Sequence, residues 1–214
     1  MRREVLSTSI SVGIATGLYG ISFGALAAAS GLDLWSIMLL SLLMFSGGSQ
    51  FAFIGVLGAG GAPVAAIASA WLMGIRNSFY ALRLAPILGP RGLHKVLAAQ
   101  LSIDESNAVS AAQEKPEHQR LGFWATGTAV FVFWNAATLV GALAGNLIGS
   151  VEQWGLDGAA AVAFLGLLWP RLKDQWPLAL AGTGVAILSF PVLPAGVPIL
   201  LAAAVALIPL GRRK

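Results

Sequence analysis

The chain has 214 residues, of which 57% are hydrophobic and 10% charged, with a mean hydropathy of +0.80. Soluble domains carry about 25% charged residues, so most of this surface is not in water and the chain reads as a membrane protein. The net charge of +4 gathers at the ends of apolar runs and not in an aromatic-interleaved stripe, which argues against nucleic acid as a partner, and the absence of cysteine excludes disulfides, thiolate catalysis and cysteine-ligated metals.

No charged residue occurs between Glu4 and Asp33, between Asp33 and Arg76, between Arg120 and Glu152, or between Asp174 and Arg212. A helix needs about 20 apolar residues to cross about 30 Å of hydrocarbon. The first and third runs are long enough for one crossing each and the other two for two each. The runs are continuous and not alternating, which predicts helices and not strands. The expected fold class is all-α: a polytopic transmembrane helical bundle of about seven hydrophobic segments in a single membrane domain over residues 1–214. It divides into a first helical half (1–88), a polar cytoplasmic linker with an amphipathic helix (89–119) and a second helical half (120–214).

The first segment runs from about Ser7 to Ser30. Met1-Arg2-Arg3 before it and Ala27-Ala28-Ala29 near its end mimic a signal peptide, but the apolar run is too long for one and more segments follow, so it is read as a retained membrane helix. Gly13, Gly17, Gly20 and Gly24 share one face, which favours close helix packing over solute contact. The second segment, Leu34 to Leu57, is interrupted at mid-depth by Ser46-Gly47-Gly48-Ser49-Gln50. Glycine pairs weaken a helix, and backbone groups freed there must find partners away from lipid. Broken helices at mid-depth build solute sites from their partly charged ends, and Gln50 adds an amide that both donates and accepts; the alternative is a packed Gly/Ser crossing point. The third segment, Pro63 to about Leu84, contains Arg76-Asn77, then Tyr80 and Arg83. Arg76 lies about 20 Å of helix beyond Pro63, and either snorkels to an interface or faces the interior to meet an anion such as a solute carboxylate.

The polar stretch Gly89 to Gln119 contains Asp104-Glu105 within a half-apolar sequence. These carboxylates either pair with Arg76 or Arg83 and carry charge or protons, or belong to a solvated helix on the cytoplasmic face. The fourth segment, Leu121 to Ile148, has a small-residue face at Gly141, Gly145 and Gly149, and polar groups at Trp134-Asn135 and Thr138 that suit interhelical hydrogen bonds. The fifth to seventh segments are Leu156–Pro170, Gln175–Phe190 and Gly196–Leu210. Trp35, Trp154, Trp169 and Trp176 lie near segment ends as interface anchors.

Lys and Arg place the Arg91/Lys95 loop, the Arg171/Lys173 loop and the Arg212-Arg213-Lys214 tail in the cytoplasm. Three full crossings before residue 89 then put Arg2-Arg3 outside, against the same rule, unless an early segment is re-entrant. Seven crossings with the amino terminus outside are the favoured arrangement. A weak internal repeat supports it: Gly24-Ala25-Leu26 precedes Gly31-Leu32-Asp33, and Gly141-Ala142-Leu143 precedes Gly155-Leu156-Asp157. An odd number of crossings between the copies makes them an inverted repeat, a transporter signature. His94 and His118 are not at ligand spacing, and no hydrolytic, nucleotide-binding or metal motif occurs. No catalytic residue, metal or cofactor is expected, so work on a solute draws on a gradient or a partner.

Three stretches, Gly20-Ile21-Ser22-Phe23-Gly24-Ala25-Leu26-Ala27, Leu40 to Phe53 and Arg76 with Tyr80 and Leu84-Ala85-Pro86, together with Asp104-Glu105-Ser106, resemble the AzlC family, the large subunit of two-component branched-chain amino acid exporters. The resemblance covers nearly the whole chain. It departs at Gly74 and Asn77, where the family often has Asn and His, and at Ile103, where it often has Thr. It implies export of small apolar amino acids across the cytoplasmic (inner) membrane of a prokaryote, and a small AzlD-like membrane subunit as partner besides the membrane lipids. The expected substrate-binding residues are Gly47, Gly48, Ser49, Gln50, Arg76, Asn77 and Tyr80, with Asp104 and Glu105 for coupling or charge balance. The Gly13–Gly24 face is expected to support assembly with the partner. The rival readings are a membrane enzyme acting on a lipid or isoprenoid, and a non-transporting scaffold subunit.

Overall fold

A computed structural model describes residues 2–145 and 156–205. Ile148, Gly149, Trp154, Gly155, Leu210 and the Arg212-Arg213-Lys214 tail lie outside the described residues. The described elements are helical throughout, as the continuous apolar runs predict: α1 (Arg2–Ala29), α2 (Leu34–Leu43), α3 (Gly47–Gly58), α4 (Pro63–Leu88), α5 (Leu93–Gln100), α6 (Asp104–Ala111), α7 (Pro116–Gly145), α8 (Leu156–Ser189) and α9 (Val197–Ala204). Helices α1 and α7 have the length and apolarity of membrane crossings. Helix α4, at 26 residues, is also long enough, but carries Arg76 and Arg83.

The core of the bundle is the contact between α1 and α7. Gly13 lies against Ala129, Gly17 against Phe133, Gly24 against Thr138 and Ala142, and Gly145 against Ala25. Residue numbers rise together on both helices, so the two run parallel. The glycines permit the approach: a Cβ on Gly24 would collide with the Thr138 carbonyl, and one on Gly141 with the Ile21 carbonyl. Thr126 Oγ1 donates to Ser9 Oγ at 2.9 Å across the same seam. The α1 glycine face is therefore covered by α7 and is not open to a partner subunit, which corrects one expectation from the sequence.

The second segment does not cross. Helix α2 is capped by Asp33, whose carboxylate accepts from Ser36 N at 2.7 Å, and it stops at Leu43. Residues Met44 to Ser46 are non-helical, and α3 returns to the level where α2 began. A Cβ on Gly58, the last residue of α3, would lie 2.7 Å from the Ser30 hydroxyl and 3.5 Å from the Ser30 Cβ. Helices α2 and α3 are thus a re-entrant hairpin whose tip sits beside Phe131 and Trp134 of α7. Helix α4 then runs the full way back: its start follows α3 closely, and at its far end the Ile87 carbonyl accepts from Arg120 Nε near the beginning of α7.

The stretch expected to be a cytoplasmic linker folds as a second hairpin, from the opposite side. Helix α5 climbs to Leu101, which packs on Gly127 of α7, and α6 descends to Val109 and Ser110, which pack on Gly122. The turn between them is tied by Ser106, whose hydroxyl accepts from Ile103 N at 3.1 Å and donates to the Leu101 carbonyl at 2.5 Å.

Two expectations change with this topology. The amino terminus of α1 lies on the same side as the Arg91/Lys95 loop, so seven crossings with Arg2-Arg3 on the far side do not fit. The Gly24 and Gly141 copies sit on parallel helices and are not inverted. A different inverted pair is present: a long helix followed by a re-entrant hairpin, first α1 with α2–α3, then α4 with α5–α6. Helix α8 joins the fifth and sixth segments with a break in helical geometry at Gln175 (φ −125°, ψ 22°). The turn after it brings Ala195 and Gly196 against Gly61, Val56 and Ala65, at the α3–α4 connection.

The re-entrant reading is directly testable, because the chain has no cysteine of its own. A Ser30→Cys/Gly58→Cys double variant has the Cβ spacing of a disulfide and should cross-link rapidly on mild oxidation. A crossing segment would hold these positions about 30 Å apart and give no cross-link, as scored by a gel shift after cleavage between them.

Candidate functional site

The tips of the two hairpins meet inside the bundle. Met44, Phe45 and Ser46 form the first tip, because Gly47-Gly48 cannot sustain the preceding helix and the backbone re-enters helix only at Gly47. The last turn of α2 presents its carbonyls at this tip, where that of Leu40 also accepts from Met44 N at 3.0 Å. Two glutamine amides reach them: Gln50 Nε2 donates to the Leu40 carbonyl at 3.0 Å, and Gln100 Nε2, at the end of α5, donates to the Leu42 carbonyl at 2.7 Å. Gln50 is fully buried and its Oε1 has no hydrogen-bond partner among the described residues. Ser49 Oγ donates to Ser46 Oγ at 3.2 Å within the first turn of α3. Around the tip, Trp134 stacks on Phe23 and meets Phe51 edge-on, while the Phe45 ring meets Phe131 edge-on at 5.0 Å.

Beside the first tip lies an open cleft of about 670 Å³ between α2, α3, α4 and α5. Its walls are mostly apolar, with Leu40, Leu43, Phe53, Ile67, Trp71, Ile75 and Val96. Its polar groups are few: Ser46, Ser49, Asn77, Ser78 and Gln100. Few polar groups in an apolar hollow are the pattern of a small-molecule site. A second cleft of about 560 Å³ runs between α4 and α5 toward Gly89, Arg91 and Lys95, and Ala99 lines both.

The charged residues sit at the second tip. Arg76 is midway along α4, and its Nη2 lies 2.7 Å from Asp104 Oδ2 in the first turn of α6. Tyr80, one turn further on, donates its hydroxyl to Asp104 Oδ1 at 2.8 Å. Both oxygens of that carboxylate are engaged, and the Arg76 and Asp104 side chains are 28% and 21% exposed. Arg76 Nε is buried without an acceptor among the described residues. Glu105, also half-buried, makes no ion pair among the described residues. Arg83 is exposed on α4, one turn beyond Tyr80.

The structure thus divides the residues anticipated from sequence into two groups on neighbouring faces of α4. Ser49 and Asn77 line the cleft, with Gly47, Gly48 and Gln50 in the hairpin that walls it. Arg76 and Tyr80 turn to Asp104 outside that wall. Of the polar groups of α7, Thr138 Oγ1 accepts from Ser41 Oγ of α2 at 3.3 Å, an interhelical contact as anticipated, whereas Asn135 Nδ2 returns to the Phe131 carbonyl of its own helix. Gln100 was missed. Its signal was there: an amide closing the short apolar stretch Val96-Leu97-Ala98-Ala99, just before a break, as Gln50 follows one.

Among known proteins, the family model for AzlC proteins matches residues 11–148, well over half of the chain. The chain belongs to the AzlC family. The match takes in α1, both hairpins, α4 and α7, so the two-tip site lies wholly within the region that defines AzlC proteins. Two relatives are described only as uncharacterized membrane proteins. One, from Archaeoglobus fulgidus, is 30% identical over 195 residues, covering 90% of this chain and 86% of its own. The other, from Haemophilus influenzae, is 24% identical over 177 residues, covering 78% of this chain and 70% of its own. No solved structure matches the chain.

The packing of the first tip in this AzlC protein can be probed without reference to any solute. A Cβ on Gly47 would lie 3.0 Å from Trp134 Cη2, whereas one on Gly55, in the same helix, meets nothing within 4 Å. Gly47→Leu should therefore destabilise the purified protein by about 1–3 kcal/mol. Gly55→Leu should leave it unchanged, and thermal unfolding of the two variants in detergent compares them.

Proposed function

We propose that this chain is the large, solute-carrying subunit of a gradient-driven exporter of branched-chain and other small apolar amino acids. In this reading it lies in the cytoplasmic membrane of a prokaryote, works with a small AzlD-like membrane subunit, and performs no chemistry on its solute. The observation that carries the reading is the pairing of Arg76 with Asp104 beside an apolar cleft, at the meeting point of two half-inserted hairpins. A charged residue at mid-bilayer costs about 2.5–3.5 kcal/mol on insertion scales, so such a pair serves solute or ion passage more often than architecture. Helix ends at a break offer free N–H groups on one side and carbonyls on the other, which suits a zwitterion.

The topology also removes the orientation conflict. With α2–α3 re-entrant and α1 parallel to α7, Arg2, Arg3, Arg91 and Lys95 share one face, and the positive-inside rule makes that face cytoplasmic. The lower cleft then opens to the cytoplasm and leads along α4 toward the tips. Asp104 holds the Arg76 guanidinium at 2.7 Å. A solute carboxylate competes for the same planar donor, which forms two parallel hydrogen bonds that lysine cannot reproduce. Glu105 supplies a second carboxylate for charge balance when Asp104 is released.

Arg76→Lys should reduce export at least tenfold at equal membrane abundance, whereas Arg83→Lys, on the exposed lower part of α4, should change it little. The measurement is intracellular leucine, isoleucine and valine in dipeptide-fed cells with and without each variant. An Arg76→Lys protein that exports like the parent would reduce Arg76 to a structural anchor. Export should also require co-expression of the small subunit; full activity of the chain alone, in a strain lacking all such subunits, would remove the partner from the proposal.

A further inference from the structure

Three cleft groups converge from two antiparallel helices. Helix α4 follows α3 through a short connection and returns along it, and Gly74 of α4 faces Ser49 of α3, with its missing Cβ only 3.1 Å from Ser49 Oγ. One turn back along α3 is Ser46, and one turn forward along α4 is Asn77, so Ser46 and Asn77 occupy the same level. All four residues line the larger cleft. Asn77 Oδ1 is buried and has no donor among the described residues. Ser46 Oγ and Ser49 Oγ are bonded only to each other among the described residues and keep free lone pairs. Among the described residues, no Lys or Arg lines this cleft.

We infer that Asn77 Oδ1, with the Ser46 and Ser49 hydroxyls, forms the subsite for the primary ammonium group of the solute. A primary ammonium carries three donors and no acceptor, and it finds here three neutral oxygens, one of which is otherwise an unpaired buried acceptor. A bare metal cation is the other bearer of this chemistry. The cleft volume of about 670 Å³ and walls such as Trp71, Ile67 and Phe53 fit an organic cation with an apolar tail and not a stripped ion. The inference rests on the amino acid reading above and deepens it: Asn77 distinguishes amino acids from apolar carboxylates that lack the amine, and because its amide does not titrate, that contact does not weaken with pH over the physiological range.

The test is competition against radiolabelled L-leucine on the full chain, purified in nanodiscs with its small subunit. The competitors are isoamylamine, which lacks the carboxylate, and 4-methyl-2-oxopentanoate, which lacks the amine. Asn77→Leu should weaken leucine and isoamylamine by about tenfold or more, the loss of one hydrogen bond to a charged donor, and leave the oxo acid unchanged. Asn77→Asp should retain amine binding, which shows that the leucine variant fails for want of an acceptor and not of a fold. Equal weakening of all three compounds by Asn77→Leu, or no weakening, overturns the subsite while leaving leucine binding itself intact. Parent binding that vanishes when sodium is replaced by choline, with this dependence lost in Asn77→Leu, assigns the oxygens to a metal cation and overturns it too. A parent that binds none of the three removes the amino acid reading and this inference together.

Discussion

Helix α1 lies directly on α7, backbone against backbone at Gly24 and Gly141, and both hairpins rest on that pair. In a bilayer no water drives helices together, so association comes from dispersion and a few polar bonds, and both grow steeply as backbones approach. The parallel pair makes a rigid wall nearly the full thickness of the membrane. On it rest the first tip, through Trp134 and Phe131, and the second hairpin, through Gly122 and Gly127. Irregular backbone at membrane depth is tolerated only when protein covers it, and α7 is the cover for both tips.

The breaks themselves are a problem of unsatisfied backbone, and the two tips solve it jointly. The Leu40 and Leu42 carbonyls lie in the last turn of α2, and that of Leu40 also accepts from Met44 N. One is bonded by Gln50 of the same hairpin and the other by Gln100 of the opposite one. The second tip closes its own turn with Ser106 and spends its charged group, Asp104, on α4. The hairpins are therefore joined to each other by one neutral hydrogen bond, and the second is joined to the α4 crossing by an ion pair and a tyrosine.

Much of this was legible in the sequence. The charge-free runs gave the helices, Ser46-Gly47-Gly48-Ser49-Gln50 gave the broken segment, and a pairing of the acidic residues with Arg76 or Arg83 was one of two open alternatives, realised between Asp104 and Arg76. Topology was not legible. A segment of 24 apolar residues broken by glycine reads the same whether the chain continues across or turns back, because the decision rests on the contact of Gly58 with Ser30, far apart in sequence. The second hairpin was hidden for a different reason: at eight residues each, α5 and α6 are too short and too polar to register as membrane elements, and they are held in place by packing on α7 and by Asp104. The small-residue face of α1 carried the right chemistry, close packing, but sequence does not name the helix that fills it.

The pairing of a long helix with a re-entrant hairpin, repeated in opposite directions, has an energetic consequence. If the two units were identical, exchanging their arrangements would produce a conformation of equal free energy, related by a two-fold axis in the membrane plane and open to the other side of the membrane. The units differ most at their tips: one is built from glycine, serine and an amide, the other carries two carboxylates facing an arginine. The two units are therefore not equivalent: the ion pair of Arg76 with Asp104 has no counterpart at the first tip, and the backbone contact with α7 at Gly24 and Gly141 belongs to the first unit.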